Sequence, residues 1–265
     1  MEQIKILRER TGAGIVDCKN ALQEANGDLD AAIDILRKKG IAKAAKRGDR
    51  EATEGLVKVA LNATGTEGYM FEMNAETDFV VRNDQFKEMS EKILGVIKEK
   101  SPSSLEEVLA LTLDGTSIAE TLEHMSGVIG EKIGLGRYSK ITSAGTIGSY
   151  VHAQGNIGVL VSLNTSGQTE LAQNIAMHIA AANPRYIKPE EVDPAELERE
   201  KAIYRDQLTQ EGKPAEMIEK IMMGKVGKYY EEVCLLKQEY IKDDSKKVEE
   251  ILNGVEVESF VRYSM

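Results

Sequence analysis

Three histidines and two cysteines are the side chains of this chain best suited to catalysis or metal binding, and their spacing supports neither. His124, His152 and His178 lack metal-ligand spacing, and no Ser–His or Cys–His nucleophile signature accompanies them. Cys18 and Cys234 lie far apart, so neither a disulfide framework nor a metal knuckle is expected. Cys18 falls on the apolar face of a helical pattern and reads as a small buried hydrophobe. Thr11-Gly12-Ala13-Gly14 lacks the lysine of a phosphate loop, and the Gly-rich stretch at Ile129-Gly130-Glu131 meets neither phosphate-loop nor dinucleotide spacing. The expectation is a protein that is not an enzyme and holds no metal or cofactor.

What the residues do offer is the chemistry of contact. Glu76-Thr77-Asp78-Phe79-Val80-Val81-Arg82-Asn83 sets a phenylalanine among acids and an arginine, in a chain with 4 Phe and no Trp. Before it, Tyr69, Phe71 and Met73 alternate with Met70, Glu72 and Asn74, the period of a strand. After it comes a helical run to about Lys98, with Asn83 as N-cap. Phe79 therefore falls at a strand-to-helix corner. Position alone favours folding the ring back into the core. The same corner could hold an aromatic out rigidly as the central anchor of an interface. Ile15 and Val16 pose a similar choice, because adjacent helical positions cannot both point fully inward, so at least one is expected to be a contact residue.

The elements that must position these residues read as an α+β chain. Residues 1–40 form a head of three short helices, with Ile4 and Leu7 on the first, Ile15, Cys18, Leu22 and Ala25 on the second, and Leu29, Ala32, Ile33 and Leu36 on the third. Asp28 is the N-cap of the third helix and Gly40 its stop. Residues 41–54 read as a basic linker. Beyond it one grammar occurs twice, in a first half over 55–140 and a second over 141–265. Strands at Leu56–Leu61 and Tyr69–Asn74 precede the helix from Asn83. Strands at Ile147–Val151 and Ile157–Leu163 precede a helix from about Gln168 to Ala182, striped by Leu171, Ile175, His178 and Ile179. Strand, turn, strand, helix in duplicate implies an internal repeat. The copies differ most at the corner, where the second has Asn164-Thr165-Ser166-Gly167. A purely architectural corner would be alike in both, which moves Phe79 toward a binding role. Between the halves, residues 104–130 read as helices broken at Asp114-Gly115-Thr116. A charged antiparallel helical hairpin over about 189–228 reads as an insertion projecting from the second half.

Charge narrows the partners. The net charge is −10 with pI near 5.1, so direct binding of bulk nucleic acid is not expected. Residues 1–50 carry 11 Lys+Arg against 8 Asp+Glu, and the remainder 23 against 36, so a slightly basic head sits on an acidic body. No apolar run reaches membrane-spanning length and the N-terminus enters a helical pattern directly, so no membrane association and a cytoplasmic location are expected.

Leu7-Arg8-Glu9-Arg10-Thr11-Gly12-Ala13-Gly14, Asp17-Cys18-Lys19-Asn20-Ala21-Leu22 and Glu76-Thr77-Asp78-Phe79-Val80 carry a resemblance, together with Ile129-Gly130-Glu131. Tyr150-Val151-His152, Ile157-Gly158-Val159-Leu160-Val161 and Met177-His178-Ile179-Ala180-Ala181 complete it. In this order, and over nearly the whole chain, they resemble the bacterial translation elongation factor Ts family, the guanine nucleotide exchange factors of the GTPase elongation factor Tu. The resemblance implies a ubiquitin-associated-like head, a core of two related antiparallel-sheet-plus-helix halves, and a projecting coiled-coil hairpin that gives a homodimer in some members. It implies that Thr77, Asp78, Phe79 and Val80 form a wedge entering the partner's nucleotide domain. Arg8, Ile15 and Val16 would contact that same domain, Ile129 and Gly130 would lie in the core contact, and His152 would touch another domain. Ala75 stands where the family often has Cys, and Val81 where it often has Ala. The sequence ends at Phe260-Val261-Arg262-Tyr263-Ser264-Met265, where relatives often continue into a terminal helix, so contact is expected to rest on the remaining surfaces. The alternative is an adaptor or ubiquitin-like-binding scaffold acting through the head alone.

Overall fold

The computed structural model describes residues 1–45 and 47–265; residue 46, within the expected linker, lies outside them. The head consists of α1 (Glu2–Thr11), α2 (Ile15–Glu24) and α3 (Leu29–Ala45). Leu7, Cys18, Ala21, Leu22, Ala32 and Leu36 meet in its core. Asp28 caps α3 as its sequence position implies, Oδ1 accepting from the N–H groups of Asp30 (2.9 Å) and Ala31 (3.0 Å). Helix α3 does not stop at Gly40, however, but runs on to Ala45. Gly40 serves a crossing instead of a cap, because Gly127 of the core approaches it so closely that a Cβ there would lie 2.6 Å from the Gly40 Cα and carbonyl oxygen. Two glycines let the helix backbones touch, and that contact docks the head on the core.

The first half begins with β1 (Glu54–Leu61) and β2 (Glu67–Ala75), followed by α4 (Asp78–Arg82), α5 (Asp84–Lys100) and α6 (Leu105–Ala110). A minimal hairpin, β3 (Thr112–Leu113) and β4 (Thr116–Ser117), turns at the expected Asp114-Gly115 break and leads to α7 (Ile118–Ile129). Then β5 (Gly134–Thr142) pairs antiparallel with β2, giving the order β1-β2-β5. The second half runs through β6 (Thr146–His152), β7 (Ile157–Leu163) and α8 (Thr169–Ala182). The arm follows as α9 (Pro194–Gln210) and α10 (Ala215–Val233), then β8 (Glu239–Tyr240), β9 (Asp243–Lys247), α11 (Val248–Leu252) and β10 (Val257–Ser264). The second sheet has the order β10-β7-β6. Each half thus places its second strand centrally between its first and a third that returns after the helices. The third strands, β5 and β10, complete the repeat.

The alternation of β2 is buried on both sides. Tyr69, Phe71, Met73 and Ala75 join Phe86, Ile93 and Ile97 of α5 and Ile118 and Leu122 of α7 in one cluster. On the opposite face, Met70 meets Val57 of β1 and Ile147, Leu160 and Tyr263 of the second half, so the two sheets share a core. Val159, Val161 and Leu163 of β7 pack against Ala172, Ile175 and Ile179 of α8 in a separate cluster. His178 belongs to this region structurally. Its Nδ1 accepts the Ile241 N–H (3.3 Å), which leaves Nε2 as donor to Gln238 Oε1 (2.9 Å). Burial lowers its pKa below the ordinary 6.5. At the root of the arm, Glu196 accepts from the hydroxyls of Tyr186 and Tyr229 (both 2.6 Å) and pairs with Arg185 at 2.6 Å. These bonds, led by Tyr186, hold the Glu196 carboxyl below the ordinary range. Nearby Cys234 is fully buried, and burial pushes its thiol up to about 11.

Two outcomes follow from this packing. In Gly127→Ala the added methyl meets backbone, so destabilisation of about 1–3 kcal/mol is expected in chemical denaturation. Gly224→Ala, also helical but with open space at its Cβ position, is expected instead to stabilise by about 0.5–1 kcal/mol. For His178, the unfolded chain binds the proton first as pH falls. The stability it contributes is therefore complete above 6.5 and is lost below it, with half-buried His124 acting in the same sense. The thermal midpoint should fall as pH drops from 6.5 toward 4.5, the ordinary value of glutamate, and His178→Gln should flatten that slope.

Candidate functional site

After Ala75 the chain leaves the sheet and forms the five-residue helix α4 before α5 begins. This extra turn was not evident from sequence. Asn83 is the N-cap of α5 as its position implies, accepting from the Gln85 N–H at 2.8 Å, and it also closes α4 through its own N–H to Val80 O at 3.0 Å. Val80 is only 8% exposed and packs into the first-half cluster, with Val81 half-buried beside it. With those side chains inward, Phe79 is turned out and is 80% exposed. Phe71 and Phe86 are fully buried by comparison. Val80, expected among the contact residues, is corrected here: it anchors the helix within its own molecule. Asp78 pairs with Arg82 at 2.9 Å across one helical turn, both side chains exposed, so the pair adds little stability and leaves both charges accessible.

Thr77 precedes α4 but does not cap it. Its hydroxyl donates to Glu131 Oε1 (2.7 Å) and its N–H to Glu131 Oε2 (3.0 Å). Glu131 follows Gly130, whose left-handed φ of 92° ends α7 with its N–H on Ser126 O at 3.0 Å. The Ser126 hydroxyl in turn donates to Glu131 O at 2.5 Å. Ile129 packs partly against the first-half cluster. The structure therefore brings Thr77, Asp78, Phe79, Val80, Ile129 and Gly130 into one hydrogen-bonded neighbourhood. In a second connection, Glu76 Oε1 accepts the Lys132 N–H at 2.6 Å and also pairs with Arg50. The Lys132 N–H and Arg50 hold the Glu76 carboxyl below the ordinary range.

On the head, Ile15 and Val16 are 57% and 70% exposed at the start of α2, while Cys18 is fully buried. Both residues point outward, where sequence reasoning required only one. Arg8 and Ile129 line a single cleft of about 800 Å³ between the head and α5 and α7, with Lys5, Arg10, Lys92 and His124. Arg8 of the head and Ile129 of the core thus face a shared space, whereas Ile15 and Val16 are not among the residues that line it. His152 stands apart at the end of β6, exposed, stacked on Tyr150 and 3.0 Å from its hydroxyl through Nδ1. Among the described residues no cluster of His, Cys, Asp and Glu could hold a metal ion, and no helix is long and apolar enough to cross a membrane.

Glu131, Glu76 and Lys132 were missed as supporting residues. Glu131 stood in plain view after Ile129-Gly130, but its partner lies 54 positions away, at Thr77. The model of the family described as Elongation factor TS matches residues 76–265, beginning at the corner that carries Phe79. Elongation factor Ts of a Nitratiruptor species is 42% identical over 279 aligned residues, which cover 99% of this chain and 92% of that relative. By these matches the chain belongs to the elongation factor Ts family, whose role is in translation elongation.

Proposed function

We propose that the protein binds GDP-loaded elongation factor Tu and accelerates GDP release by wedging its nucleotide domain. The observation that carries this reading is Phe79, 80% exposed on a helix whose neighbouring Val80 is locked in the core. A phenylalanine held out at such a cost in exposed apolar surface suits a pocket on another molecule. Arg8, Ile15, Val16, Ile129 and Gly130 add contacts on the same domain, Thr77 and Asp78 flank the ring, and His152 reaches a different domain.

The work requires no bond-making residue. A GTPase grips GDP through Mg²⁺ and through backbone amides around the phosphates. An aromatic ring driven under the helix that supports the Mg²⁺ ligands shifts that helix, because packed helices move between discrete arrangements. The ion's charge compensation is lost and the phosphate grip loosens. Linkage then requires GDP to weaken the binding of this protein by the same factor. Either nucleotide can refill the site, and an excess of GTP gives the cycle its direction. The reading places the protein in the cytoplasm, with a head, a connector and a core of two halves. The arm exposes Ile203, Met217 and Met223, which supports self-association through it.

The adaptor reading finds support in the exposure of Ile15 and Val16. The two readings part at Phe79. Stopped-flow release of fluorescent GDP from elongation factor Tu is expected to show that Phe79→Ala removes roughly 2–4 kcal/mol of productive binding. Release at the wild-type rate by folded Phe79→Ala would discard the wedge. If Ile15→Glu and Val16→Glu then abolished all partner binding, the head-only reading would stand.

A further inference from the structure

We propose that Glu131 is a positioning residue, the centre of a carboxylate latch that sets how Phe79 is presented and ties the head's connector to that presentation. The inference rests on the exchange reading above. The latch is reciprocal. Glu131, at the corner before β5, accepts the N–H and hydroxyl of Thr77 after β2 at 3.0 and 2.7 Å. Glu76, at the corner after β2, accepts the N–H of Lys132 before β5 at 2.6 Å. The sheet does not need these ties, since β2 and β5 are already in register as far as Asn74 opposite Gly134. What lacks support of its own is α4.

A helix of five residues is far too short to be stable in isolation. Its one buried side chain is Val80, with half-buried Val81 beside it on the same cluster, and two adjacent anchors on one side leave the ends of the turn unfixed. Asn83 fixes its far end through the bond to Val80 O. Glu131 fixes the near end, and its negative charge beside the first N–H groups also suits the helix dipole. With both ends held, the ring of Phe79 has one direction to face.

The latch extends to the head. Lys132 Nζ donates to the carbonyls of Gly48 (2.7 Å) and Arg50 (2.8 Å), both in the segment joining α3 to β1, and the Arg50 guanidinium reaches Glu76 at 3.2 Å. A pull on the head at its contact surface is therefore transmitted to the corner that carries Phe79 through hydrogen bonds rather than through a slack linker.

Two measurements on the full-length protein test this. In the free protein, hydrogen exchange at the Val81 and Asn83 amides should speed up tenfold or more in Glu131→Ala, with the Ile93 amide unchanged. In GDP release from elongation factor Tu, Glu131→Ala should lower the maximal rate at saturating protein by at least tenfold while moving the half-saturating concentration less than threefold. The double variant Phe79→Ala/Glu131→Ala should be no slower than Phe79→Ala, since both act through the ring. Unchanged exchange, or additive losses in the double variant, would overturn the latch. If Glu131→Ala fails to fold, Thr77→Val, which removes only the hydroxyl, is judged by the same readouts. Normal release by Phe79→Ala would instead sink the exchange reading, and the exchange measurement alone would then decide whether Glu131 orders α4.

Discussion

The double burial of β2 is the constraint on which the rest depends. As the middle strand of the first sheet it puts Tyr69, Phe71, Met73 and Ala75 under α5 and α7, and Met70 against the second sheet. Each large side chain so buried contributes about 1.5–3 kcal/mol, and a slip of one residue would exchange the two faces along the whole strand. Register is thus doubly specified, and the point where the chain must turn, at Glu76, is fixed with it. The polar residues of the strand reinforce the arrangement. Glu72 pairs with Arg137, which also donates to Ser264 O at 3.1 Å and lies over the Tyr263 ring at 4.3 Å. The last strand of the second half is thereby fastened to the strand that leads to Phe79.

The repeat explains why such a corner exists. Both halves use a hairpin, a helix and a returning third strand, with the second strand central in each. In the second half the passage from β7 to α8 is a plain loop whose Asn164 and Thr165 bond to neighbouring segments. In the first half the same passage became a separate helical turn with an outward ring. The two frames are alike, and only the first carries a helical turn with an outward ring at this corner.

The sequence was informative wherever the signal is local. The strand alternation, the Asp28 and Asn83 caps, the arm and the repeat were all readable from spacing, and so was the unusual corner. Signals that depend on a distant partner were not. A glycine near a helix end reads as a stop, and only the position of Gly127, 87 residues on, shows that Gly40 serves a close crossing. Strand β10 escaped notice because a register shift between Val257 and Ser259 breaks its alternation, and β5 because its glycines and charges dilute the pattern. Val80 was placed with its neighbours in the contact because motif residues travel together in sequence. The helical turn separates them in space, sending Val80 inward and Phe79 outward.

That separation bears on how binding can do work. A ligand shifts a conformational equilibrium only by its difference in affinity for the two states. On the proposed exchange reading, contacts from the head patch would need no rearrangement of the nucleotide domain, so they would favour both states of a partner and supply encounter and retention. On that reading Phe79 would differ, because its ring would regain the benefit of burial, about 1.5–3 kcal/mol, only in the state that has opened room for it. A ring on a soft loop could bind either state by folding aside. A ring on a short helix pinned at both ends would not, so on the same reading rigidity at α4 would turn an ordinary hydrophobic contact into a preference for the opened partner.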